Sequence, residues 1–224
     1  MKLITLIFIA FAANCSAQKM YTFDYFLEYE KTFYKEDSIK SKRMYLTNSK
    51  DNSYYAKLTS IDSLNFKLVF VDYNKVYANV RLLKTDFYKS EYINIGYDKT
   101  IRHKGIHKKN TKNYGYFLLN DTLVNEKECT VYKLAPNYKP KKRIRKSAGT
   151  LLYIVDKSTS FHMPILLRSL AYKKWESEIK IPYGIFIEKK LINGLNEEHS
   201  SEKLLQYIKI DKKITMPKEC SLLY

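Results

Sequence analysis

Apolar and polar residues alternate one by one over long stretches of this chain, the period-two pattern of a half-buried β-strand rather than the spacing of a helix. From Met20 to Tyr34, Tyr21, Phe23, Tyr25, Leu27 and Tyr29 fall on one face. Thr22, Asp24, Phe26, Glu28 and Glu30 fall on the other, which predicts a strand with a mostly polar outer face. Met44–Leu46 and Ser53–Ile61 read as shorter strands around the Asn48–Asn52 turn. Leu64, Phe66, Leu68 and Phe70, then Val76, Ala78, Val80 and Leu82, alternate on either side of a polar turn at Asp72–Lys75, the signature of an antiparallel hairpin. Further strands are predicted at Tyr92–Tyr97, Tyr114–Leu119, Cys129–Leu134, Thr150–Val155, Ile179–Ile181, Gly184–Leu191 and Leu204–Ile210. Pro164–Trp175 fits a short helix or a strand equally well. Runs of strands with polar turns predict a mainly β fold: a single antiparallel, strongly curved sheet, a half-barrel or open barrel, with little helix.

The first residues carry a different pattern. Lys2 precedes an apolar run from Leu3 to Ala13, and Cys15-Ser16-Ala17 offers small side chains at the −3 and −1 positions of a signal-peptidase site. Residues 1–17 therefore read as a secretory signal and 18–224 as one β-rich domain, periplasmic or secreted after cleavage. The run falls short of the roughly 20 residues a membrane-spanning helix needs. A lipid anchor through Cys15 is the alternative, against which Asn14 is a poor residue before a lipidated cysteine.

Composition narrows the picture. Tyr (21) and Phe (11) suit a pleated surface, while six glycines and five prolines leave no flexible linker. Removing Lys2 with the signal lowers the formal charge from +17 to +16. In the cytosol such an excess would point to nucleic acid. An exported chain instead meets anionic lipid, polysaccharide or acidic protein, so peripheral membrane contact is open and nucleic acid is not expected. Two basic segments concentrate the charge, Lys99–Lys112 and Lys139–Lys146. Within the second, read as a loop, Lys141, Lys142, Arg143 and Arg145 are candidates for anion binding. Few aromatic residues accompany them, which argues against base stacking. Cys129 and Cys220 are the pair left after cleavage. An oxidising compartment favours bridging them, closing a loop of about 91 residues worth at most roughly 4–5 kcal/mol.

No catalytic signature emerges. His103 and His107 are four apart, but Gly105 interrupts any helix between them and surrounding cations repel a metal, so no metal site is predicted. His199-Ser200 lies in a polar stretch read as a turn, and no nucleophile elbow, phosphate loop or dinucleotide fingerprint occurs. Asp24, Glu28 and Glu30 on one strand face read as a wet face rather than an acid/base pair. No cofactor is expected.

Glu128–Leu134, Leu152–Ser158, Ile181–Glu188 and Tyr207–Pro217 follow an order that resembles the secreted GLPGLI proteins, although Tyr183 interrupts the namesake motif between Pro182 and Gly184. More broadly, strand after strand behind a signal peptide resembles the periplasmic lipoprotein carriers of the LolA type. That resemblance implies an incomplete antiparallel barrel whose concave apolar face holds acyl chains. Phe66, Phe70 and Val80 then become candidate ligand-lining residues, and otherwise they are core. The leading expectation is an exported, non-enzymatic binding protein for a hydrophobic or amphipathic small molecule or an envelope protein. The alternatives are a protein docking its basic loops on an acidic partner or anionic surface, and a hydrolase of unknown substrate.

Overall fold

Strands form where the alternation is densest. The computed structural model describes residues 18–34, 38–74, 76–102, 111–178 and 181–217. The expected signal with Cys15, the partner cysteine Cys220, and His103 and His107 lie outside these residues. In chain order the elements are β1 (Gln18–Phe33), β2 (Ile39–Asn48), β3 (Asp51–Ser60), β4 (Asn65–Asp72), β5 (Val76–Leu83), α1 (Lys84–Lys89), β6 (Tyr92–Asn94) and β7 (Thr100–Arg102). They continue with β8 (Tyr114–Leu118), β9 (Thr122–Val124), β10 (Lys127–Pro136), α2 (Pro140–Arg145), β11 (Thr150–Asp156), α3 (Ser169–Glu178), β12 (Phe186–Ile192) and β13 (Glu198–Pro217).

All the strands belong to one open sheet, with the order β7-β5-β4-β3-β2-β1-β13-β12-β11-β10-β8. Pairing is antiparallel throughout except where short β6 runs parallel to the end of β13. The expected β4–β5 hairpin is present, Phe70 opposite Ala78 and Leu68 opposite Val80. The mainly β, curved and unclosed sheet is therefore the fold that the pattern predicts.

Curvature follows from the packing. Val71 and Tyr73 at one flank share a single core with Tyr132, Leu134 and Tyr153 at the other. Seven strand spacings separate β4 from β10 in the sheet; laid flat at about 4.8 Å each, they would stand roughly 34 Å apart. The sheet curls, and the segment from Phe161 to Glu178, ending in α3, fills the concavity. Ile165, Leu166, Ala171, Tyr172 and Trp175 are the residues it buries in this core. Tyr172 stacks on Tyr73 at 4.8 Å, and Tyr132 stacks on Tyr153 at 4.9 Å. Hydroxyls from both flanks clamp the segment's backbone: Tyr73 donates to the Leu166 carbonyl at 2.5 Å and Tyr116 to that of Ala171 at 2.9 Å. The ambiguous Pro164–Trp175 stretch is thus irregular at first and helical from Ser169.

A second core covers the other face of the first strands. Phe66, Leu68 and Phe70 pack there with Tyr21, Phe23, Phe26, Ile214 and Met216, under Phe87 of α1 and Ile93 and Ile95.

Three expectations need correction. Tyr21, Phe23, Tyr25, Leu27 and Tyr29 do not share one face: Tyr21 and Phe23 enter the second core, Leu27 and Tyr29 the first. The β1–β13 register shifts between Phe23 and Tyr25, and such an irregularity reverses every later side chain. Asp24 sits at the shift with its carboxylate accepting from the Ser49 amide (2.7 Å) and hydroxyl (2.5 Å), while Phe26 and Glu28 are buried rather than wet. Next, the basic stretch expected as a loop contains helix α2, with Pro140 in its first turn where a missing N–H costs nothing. Last, His199 and Ser200 lie in β13 and not in a turn.

Candidate functional site

Three neighbouring strands place charges directly opposite one another on the concave face. Lys31 of β1 pairs with Glu202 of β13, and Glu202 pairs with Lys189 of β12. Glu202 is buried and accepts from Lys189 at 2.8 Å, Lys31 at 3.1 Å and the Tyr45 hydroxyl at 3.0 Å. Burial pushes its carboxyl upward. The two ammonium groups outweigh that and hold it down at about 2, so the carboxylate is ionised, while burial lowers the Lys189 ammonium against the pull of Glu202. Burial, then Glu202, raises the Tyr45 phenol well above its usual range and keeps it a donor.

Around this row the register brings further cations to the same face. Arg43 stands opposite Tyr29 and Lys57 opposite Tyr45. Among the described residues, Lys31, Arg43, Lys57, Arg168 and Lys189, with Glu202 as the single carboxylate, line a cavity of about 240 Å³ together with Tyr45, Tyr55, Leu151, Leu167 and Leu191. Glu202 satisfies Lys31 and Lys189. Among the described residues no carboxylate ion-pairs with Arg43, Lys57 or Arg168. Among the described residues the buried Arg43 Nε has no hydrogen-bond partner, and its guanidinium reaches only the Thr59 hydroxyl at 3.5 Å. Burial lowers the Lys57 ammonium, and Arg43 and Lys31 lower it further by repulsion.

A second cavity of about 330 Å³ continues from the first through shared Leu151, Arg168 and Leu191. Tyr114, Leu134 and Leu170 make its remaining apolar lining, with Ser147, Gly149, Asn193 and His199 at its polar border. The concave face therefore offers a cationic compartment joined to a more apolar one.

The residues singled out from sequence lie elsewhere. Phe66 and Phe70 are buried in the second core, with Val80 packed against it, on the opposite face of the sheet from these cavities. Lys141, Lys142 and Arg145 are exposed on α2, while Arg143 donates to Thr150 (3.3 Å) and Asn196 (3.2 Å). Cys129 is buried, its thiol donating to the Lys127 carbonyl at 3.4 Å, and burial raises its pKa. Its proposed partner Cys220 is outside the described residues. Asp24 serves Ser49, and Glu28 accepts from Lys42 and Gln206, so neither forms an acid/base pair with the other.

Sequence reasoning missed Lys31, Arg43, Lys57 and Lys189. A signal was present: each lies two residues from an aromatic or apolar side chain on the inward face, Tyr29, Tyr45, Tyr55 and Leu191.

No family model matches the sequence, and no curated protein matches it. Among solved structures, a chain in the complex of Pseudomonas aeruginosa MucA and MucB has a TM-score of 0.43 at 7% identity, over 83% of this chain and 51% of that one. The chain thus spans about half the length of the MucB structures it matches. A domain described as an outer membrane lipoprotein-sorting protein from Vibrio parahaemolyticus scores 0.33 at 10% identity, covering 83% of this chain and 85% of that one. A LolA superfamily protein from Nitrosomonas europaea scores 0.28 at 12%, covering 83% and 84%. With identities and scores this low, function has to be argued from this chain's own residues.

Proposed function

We propose that this chain is an exported, non-enzymatic binding protein of the cell envelope that holds an amphipathic small molecule on the concave face of its sheet. One observation carries the reading: two cavities meet at Leu151, Arg168 and Leu191, one charged and the other more apolar. A concave site with apolar walls and a few convergent polar groups is the usual form of a small-molecule pocket. The leader-like residues 1–17 support export. Phe161–Glu178 fills the centre of the concavity, so the ligand sits beside that segment.

The test is uptake of a fluorescent fatty acid by the purified chain, together with mass spectrometry of lipid that co-purifies from its native envelope. We expect saturable uptake by the wild type. Leu170→Trp, which fills the apolar compartment, should weaken it roughly tenfold, since excluding two methylenes costs about 1.6 kcal/mol. Absence of both uptake and co-purified lipid would overturn the proposal.

A further inference from the structure

We infer that the charged compartment recognises a phosphate monoester: Arg43, Lys57 and Arg168, the cations left over from the Lys31–Glu202–Lys189 row, grip its dianion. This rests on the binding function proposed above and names the chemistry of the ligand's polar end.

Three features lead there. Among the described residues the compartment holds five cations and one carboxylate, and that carboxylate is already bonded to two lysines and a tyrosine. The surplus charge is confined: Lys57 is half-buried near Arg43 and Lys31, whose repulsion outweighs the attraction of Glu202, and no described carboxylate ion-pairs with it. The site as it stands carries that repulsion, and a bound anion removes it.

A dianion fits better than a carboxylate. Three unpaired cations exceed the charge of a carboxylate, and a guanidinium matches adjacent phosphate oxygens with two parallel hydrogen bonds. The Arg43 Nε, buried and without a partner, is a donor that such an oxygen would satisfy. Ser200 at the cavity wall adds a hydroxyl. Two sources share this chemistry, a single-chain phospholipid and a free phosphate ester, and the second compartment favours the former.

The experiment measures binding of four probes to the full chain: lysophosphatidic acid, the monoacylglycerol of the same acyl chain, glycerol phosphate and inorganic phosphate. Lysophosphatidic acid should bind at least roughly tenfold more tightly than monoacylglycerol, and raising salt from about 50 to about 500 mM should erode that margin by screening. Lys57→Gln and Arg43→Gln should each cut lysophosphatidate affinity roughly tenfold and monoacylglycerol affinity by much less. Lys57→Gln removes a charge with no described carboxylate partner, so its thermal midpoint should hold; it keeps the test valid if Arg43→Gln folds poorly. Equal affinity for the two lipids, or lysophosphatidate binding unmoved by Lys57→Gln, overturns the phosphate assignment while the amphiphile reading stands. Binding of glycerol phosphate and inorganic phosphate without either lipid supports the assignment and overturns the amphiphile reading. Binding of no probe overturns both.

Discussion

The Tyr73 hydroxyl ties the segment that fills the concavity to the flank of the sheet, donating to the buried carbonyl of Leu166 at 2.5 Å. Removing a buried partner leaves the other group desolvated and unpaired, which costs more than the bond's net worth. Tyr73→Phe should therefore lower stability by about 1–3 kcal/mol. Tyr183, 41% exposed, is the control, where the same change should stay within about 0.5 kcal/mol. Urea unfolding of both variants checks this, and equal effects would show that the hydroxyl does not hold the segment. At this scale the site was half legible. Lys31 continues the inward parity of Leu27 and Tyr29, and Lys57 that of Tyr55, so each cation was readable as an inward residue. That Lys31 and Lys189 meet across Glu202 was not readable, because it depends on β1 and β12 flanking β13, a pairing no local pattern encodes.

Between elements, His162 joins the filling segment to β2. Its Nδ1 faces the Met163 carbonyl at 2.6 Å, which only accepts, so Nδ1 donates and Nε2 accepts from the Thr47 hydroxyl at 2.9 Å. The ring is buried and neutral, and burial lowers its pKa below the ordinary 6.5. With the folded value depressed, the unfolded chain binds the extra proton first as pH falls. The histidine's contribution is complete above about pH 7 and is lost as pH drops through 6.5 toward the folded value. Thermal midpoints should fall between pH 7 and 5 in the wild type and fall less steeply in His162→Asn, which keeps an amide able to donate and accept. Identical slopes would remove His162 from the account. The strands themselves were legible because β-branched and aromatic alternation is a local signal. The phase of β1 was not, since its shift at Asp24 is set by pairing with β13 and by the bonds to Ser49. The stretch before β12 was opaque for a related reason. Gly184, at φ +140°, brings the chain so close to β11 that a Cβ would lie 2.5 Å from Val155 Cγ1, a tertiary constraint that composition does not announce.

Over the whole molecule, one sheet carries two cores, and the same strands serve both. β4 sends Phe66, Leu68 and Phe70 to one and Val69 and Val71 to the other; β1 divides Tyr21, Phe23 and Phe26 from Leu27 and Tyr29. Neither core can be lost without removing a wall of the other, so the proposed single domain should unfold in one cooperative step. The chain's one tryptophan makes this measurable: Trp175 belongs to the first core only. Leu68, fully buried in the second, shares no cluster with it. Leu68→Ala should cost about 2–5 kcal/mol through lost burial and the cavity left behind. If the cores are coupled, that loss appears equally in Trp175 fluorescence and in far-ultraviolet circular dichroism, as one shifted transition with coincident midpoints. A Trp175 transition that stays at the wild-type midpoint while the dichroism splits would mean that the two faces of the sheet fold separately. The concave site would then be supported by the first core alone.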